Sequence, residues 1–148
     1  MISTLPALVH LANEDEYRKY YENKYCNKNI TTFDGIRVRF YEEKFNDAFF
    51  ESSNKLKRNK DIFSLERAKR IDWIEYVLKD PSATLHLGWD RDTKSYNKSR
   101  RVAIINKENY VVIIEVKARN DAKFITAYYA DTPRTANNIK NSPLWQWT

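Results

Sequence analysis

His86, Arg101, Glu115 and Lys117 carry side chains that can cleave a phosphodiester without a metal. Each falls in a strand-like run of the second half of the chain. Alternation along those runs places the four on one sheet face with Thr126 and Tyr128. RNA can be cleaved through its own 2′-OH with these parts. Glu115 or His86 takes the 2′-OH proton, His86 protonates the leaving 5′ oxygen, and Arg101 or Lys117 stabilises the pentacovalent phosphorane. The same inventory also fits a solvated sheet face on which Glu115 and Lys117 form a surface ion pair of little energetic worth.

Other chemistries are excluded by composition. The 148 residues hold one cysteine, Cys26, and two histidines, His10 and His86, far apart. A disulfide framework, a Cys-rich zinc site and an HExxH site are therefore absent. The two glycines, Gly35 and Gly88, are too distant from each other to form a phosphate-cradling loop. No metal or cofactor is expected. No apolar run approaches the ~18 residues of a membrane span. No basic residue precedes the apolar Leu5–Leu11 stretch, and no small-residue cleavage site follows it. The expectation is a cytoplasmic chain in a reducing setting, with no membrane partner.

Charge points toward a polyanion. The chain carries a formal +6, yet residues 54–70 alone net +5 and residues 91–101 net +4. Lys55, Lys57, Arg58 and Lys60 in the first segment, and Lys98 and Arg100 in the second, are candidate RNA-binding residues. Two lysine-rich solvated loops would give the same count.

The elements follow from periodicity. Asn13 caps a helix whose first turn is acidic (Glu14, Asp15, Glu16) and which runs to about Tyr25. Asp34-Gly35 joins two short strands, Ile30–Phe33 and Ile36–Tyr41. Residues 42–50 fit strand or helix, and residues 51–61 read as a loop. Ser64 caps a helix through about Lys79, stopped by Pro81. Four strand-like runs then follow at residues 84–89, 101–106, 110–117 and 123–130, with a short helix after Pro133. The fold class is α+β: N-terminal helices, then a curved antiparallel four-stranded sheet. Residues 1–60 form a helical and hairpin extension, and residues 61–148 the core.

The stretch Ser64-Leu-Glu-Arg-Ala-Lys-Arg-Ile-Asp-Trp-Ile-Glu-Tyr-Val-Leu-Lys-Asp-Pro81 resembles the helix signature of the phage- and mobile-element-associated nucleases of the barnase–EndoU–colicin–RelE-like superfamily. Tyr110-Val-Val-Ile-Ile-Glu-Val resembles the central strand of that family, and Phe124-Ile-Thr-Ala-Tyr-Tyr-Ala-Asp its last strand. The likeness covers about residues 62–145. It implies a metal-independent endoribonuclease acting on transfer RNA or ribosome-bound RNA, and a toxin neutralised by a cognate antitoxin or immunity protein. From the matched motifs it adds Arg67, Arg70, Thr126 and Tyr128 to the candidate catalytic residues. The rival expectation is a catalytically inactive nucleic-acid-binding accessory protein of a phage or mobile element. An antitoxin ranks third, because antitoxins of basic nucleases tend to be acidic.

On a helical wheel of residues 64–79, Arg67 falls in the apolar arc of Ile71, Ile74 and Leu78, and Arg70 on its edge. An arginine there must find acceptors. Either an internal carboxylate such as Glu115 pairs with Arg67, or Arg67 reaches past the sheet edge toward the scissile phosphate. Trp145 and Trp147 read as a hydrophobic lid or as platforms for bases.

Overall fold

The computed structural model describes residues 5–53, 60–106 and 108–146. Lys55, Lys57, Arg58 and Trp147 lie outside the described residues.

Helix α1 (Glu14–Tyr21) begins as its sequence dictates, with the Asn13 side chain accepting from the Glu16 amide at 3.0 Å. A π-helical turn, Glu22–Cys26, continues it. Tyr17, Tyr21 and Tyr25 recur every four residues and are all buried. That spacing drifts around an α-helix of 3.6 residues per turn, and the wider π turn offsets the drift. Each buried hydroxyl finds a carbonyl: Tyr17 donates to Val9 O (2.6 Å), Tyr21 to Tyr41 O (2.9 Å) and Tyr25 to Ile71 O (2.6 Å).

Strands β1 (Ile30–Thr31) and β2 (Arg37–Arg39) form the expected hairpin, with Gly35 at φ +91° in its turn. Residues 44–49 form α2, so the helical alternative holds for that segment. Part of the expected loop at residues 51–61 pairs instead, as β3 (Phe50–Glu51) against β4 (Ile62–Phe63).

The single helix expected over residues 64–79 is two: α3 (Leu65–Ala68) and α4 (Asp72–Leu78). Neither proline nor glycine breaks it. The Tyr25 hydroxyl inserts into the ladder, donating to Ile71 O and accepting from the Glu75 amide at 3.2 Å. The Val9 amide takes Lys69 O at 2.8 Å. With those carbonyls captured, the chain tightens through three-residue bonds from Arg70 N to Arg67 O and from Ile71 N to Ala68 O.

The meander follows as β5 (Thr84–Asp90), β6 (Ser95–Ile104), β7 (Tyr110–Ala118) and β8 (Asp121–Tyr129), then α5 (Pro133–Lys140). The fold is α+β, with a sheet of six strands rather than four. Its order is β1-β2-β8-β7-β6-β5, and β2 runs parallel to β8. Residues of the N-terminal extension therefore share a sheet and a core with the rest of the chain. On the far edge, Leu87 N donates to Pro143 O (2.8 Å) and Trp145 N to Leu85 O (2.9 Å). No helix among the described residues is long and apolar enough to cross a membrane.

The two sheet faces divide differently from the expected pattern. Val102 opposes Ile113, and Ala103 opposes Val112. The parity of β6 is thus reversed relative to β7. Arg101, Ala103, Val112 and Ile114 face the core formed with α1, α2 and α4. His86, Val102, Ile104, Val111 and Ile113 lie on the opposite face, where Ala136 and Ile139 of α5 pack over it. That second face is largely apolar and covered, not a solvated polar one.

Candidate functional site

Strand β2 pairs with β8 only at Asp121–Lys123. Beyond that point, α2 and α3 flank the β8 edge. The Ser64 side chain caps α3 by accepting from the Arg67 amide at 3.3 Å. The β3–β4 pairing brings Glu51 beside the start of α3, and α5 starts just after β8. A cleft of about 250 Å³ opens between these pieces. Arg67, Arg70 and Glu66 of α3 and its following turn form one wall; Tyr128, Tyr129, Asp131 and Thr135 form the other, with Glu51 on the rim.

The two guanidinium groups each lie against a tyrosine. Arg67 Cζ is 5.8 Å from the Tyr128 ring centre, and Arg70 Cζ is 4.9 Å from that of Tyr129 and 5.3 Å from that of Trp73. The internal contacts of Arg67 are long: 3.5 Å to Ala48 O and 3.7 Å to Glu51 Oε1. Arg70 Nη1 donates to the Glu66 carbonyl and carboxylate, while its Nε is buried with no hydrogen-bond partner among the described residues. A buried donor left unmatched costs about 1–3 kcal/mol.

Burial raises the Tyr128 phenol above its ordinary value, against a smaller opposing pull from Arg67, so the phenol keeps its proton. Hydrogen bonds from Lys69 and then Arg70 lower the Glu66 carboxyl. Lys60 approaches the same cluster, donating to Asp47 O at 3.0 Å. Burial and then the Arg67 charge lower its pKa.

Of the candidate catalytic residues, the structure brings Arg67, Arg70 and Tyr128 together. Thr126 lies next along β8, but its hydroxyl is committed to Asp47 O at 2.9 Å. The expected cluster of His86, Arg101, Glu115 and Lys117 does not form. His86 is buried, with Nδ1 donating to Ser142 O and Nε2 bonded to Thr84 Oγ1, both at 3.1 Å. Arg101 lies on the opposite face, 2% exposed, and forks onto Asp34. Glu115 pairs with Lys117, as the surface reading expected, and not with Arg67. Lys117 and Lys98 line a separate groove of about 310 Å³ beside Trp145. Arg100 lies near Trp89. Trp145 is buried, its ring centre 5.0 Å from Arg101 Cζ, which makes it a lid.

No family model, curated protein or solved structure matches the chain.

Glu51, Tyr129 and Asp131 were not legible as site residues. Glu51 depends on the β3–β4 pairing. Tyr129 is 37% exposed although it shares a face with the buried Ala127 and Tyr110, because it is the last residue of β8 and lines the cleft beside Arg70. The tyrosine doublet was the available signal: consecutive strand residues face opposite sides, so two large polar aromatics at the free end of an edge mark an exposed boundary.

Proposed function

We propose that the chain is a metal-independent endoribonuclease, with the Arg67–Arg70–Tyr128 cleft as its active site. The observation that carries this reading is the meeting of residues from two distant motifs: two arginines from the α3 region and Tyr128 from the end of β8. In the proposed step a carboxylate, Glu51, accepts the 2′-OH proton. The 2′ oxygen bonds to phosphorus, and the phosphorus–5′-oxygen bond breaks as Tyr128 protonates the leaving oxygen. Arg67 and Arg70 hold the non-bridging oxygens, whose charge grows in the phosphorane. The resemblance to the barnase–EndoU–colicin–RelE-like nucleases supports the same chemistry. It extends the proposal to a cytoplasmic toxin on a curved antiparallel scaffold, held in check by a cognate antitoxin or immunity protein.

Purified protein incubated with transfer RNA in EDTA is expected to release fragments ending in 2′,3′-cyclic phosphate. Fragments with 5′-phosphate ends formed only with magnesium would refute the mechanism. Salt-sensitive binding without any cleavage would assign the rival role, an inactive nucleic-acid-binding accessory protein.

A further inference from the structure

Tyr128 lines two clefts. One holds Arg67 and Arg70; the other, of about 200 Å³, lies between the second sheet face and α5. Val102 and Ile113 also line this second cleft, as do Ile139, Asn138 and Ser142 from the side of α5. Its outer end is the β5–β6 hairpin, where Trp89 and Tyr96 oppose each other across the strands.

Both rings of this pair are exposed: Trp89 is 49% and Tyr96 41% accessible. Their centroids are 5.1 Å apart with the rings 80° from coplanar. An edge-to-face pair leaves ring faces open for a third planar group. Arg100 completes the platform. Its stem crosses Gly88, where a Cβ would come within 2.1 Å of Arg100 Cγ, and its Nη1 donates to Trp89 O at 3.2 Å. Glycine at 88 thus keeps the arginine against the hairpin. The surrounding segment, residues 91–101, nets +4. Aromatic faces, a guanidinium and local positive charge are the recognition elements of an unpaired nucleotide.

We infer that the Trp89–Tyr96–Arg100 hairpin is a stacking platform for an unpaired base of the RNA strand, restricting the substrate to single-stranded RNA. This rests on the ribonuclease reading of the neighbouring cleft. Tyr128 is the shared wall that links the two, so a strand bound across it places one base on the hairpin and a phosphate at Arg67 and Arg70. Bases within a duplex have both faces covered by their neighbours and cannot use the platform.

The test uses a fluorescein-labelled single strand with 2′-O-methyl substitution throughout, which cannot be cleaved, and its blunt duplex. Dissociation constants are measured by anisotropy for wild type, Trp89→Ala and Trp89→Phe. Loss of one stacked base is expected to weaken single-strand binding by about tenfold in Trp89→Ala. Trp89→Phe should retain most of the affinity, and duplex binding should stay unchanged in both. Equal single-strand affinity in wild type and Trp89→Ala, with RNA cleavage intact, would overturn the platform and leave the ribonuclease standing. Equal weakening on both probes would also overturn it, as a partner-binding or purely electrostatic role would give. Selective weakening on the single strand, in a protein that cleaves no RNA, would keep the platform and sink the ribonuclease.

Discussion

Arg67→Gln is expected to lower RNA cleavage by about 10²–10³-fold, the loss typical of one preorganised donor to a developing oxyanion. Thermal unfolding should stay within a few degrees of wild type. Two observations set these opposite magnitudes. The contacts Arg67 makes within the protein are long, 3.5 Å to Ala48 O and 3.7 Å to Glu51 Oε1, so little folding energy depends on them. Ala48 is next to the last residue of α2, and a cation there helps only modestly against the helix dipole. Toward the cleft, however, Arg67 and Arg70 present paired guanidinium groups. A bidentate fork holds two phosphate oxygens in a fixed plane, which the ammonium of a lysine cannot do. Arg67→Lys should therefore also cleave poorly, while binding RNA nearly as well as wild type at low salt. The check pairs single-turnover cleavage of transfer RNA with thermal melts and an anisotropy titration. If Arg67→Gln unfolds and loses activity together, Arg67 is a structural cap of α2, and Arg70 or Lys60 must supply the cation.

How far the sequence discloses this site depends on whether the determining contacts are local. The Asn13 and Ser64 caps, the Asp34-Gly35 turn and the four runs of the meander follow from neighbouring residues. The break between α3 and α4 does not. It arises from Tyr25 and Val9, residues distant in sequence that capture the carbonyls of Ile71 and Lys69. That break ends the wheel on which Arg67 fell in an apolar arc. The face of β6 is hidden in the sequence for another reason. Val102-Ala-Ile-Ile105 and Val111-Val-Ile-Ile114 are continuous apolar runs, which alternation cannot divide. Such runs signal a strand covered on both faces, and α5 supplies the second cover. Once both faces are buried, a mid-sheet active face is foreclosed. The proposed site lies instead at the free end of β8, where Arg67, Arg70 and Tyr128 meet.

Asp34→Ala should destabilise the fold by about 3–5 kcal/mol, the cost of stranding a buried charge. Arg101 is 2% exposed, and its Nη1 and Nη2 reach the two Asp34 carboxylate oxygens at 2.8 and 3.1 Å. Phe33 and Trp145 lie against the same guanidinium at 5.7 and 5.0 Å. Removing the carboxylate leaves that charge among aromatic rings without its ion-pair partner. The reverse substitution, Arg101→Met, should cost less, because Asp34 is at the tip of the β1–β2 hairpin and can rehydrate. The pair also sets a pH dependence. Burial pushes the Asp34 carboxyl up, but hydrogen bonds from Arg101 and then Thr32 outweigh it and hold the net value below the usual range. A carboxyl depressed in the folded state binds fewer protons there than in the unfolded chain. Its stabilisation is therefore complete above the unfolded value of about 3.9 and is lost as pH falls through the lower folded value. Urea unfolding at neutral pH and near pH 3 should show wild type losing stability with acid and Asp34→Asn losing less. A neutral-pH loss below about 1 kcal/mol in Asp34→Ala, the range of an exposed ion pair, would mean that water already screens the pair. Arg101 would then return as a candidate phosphate ligand.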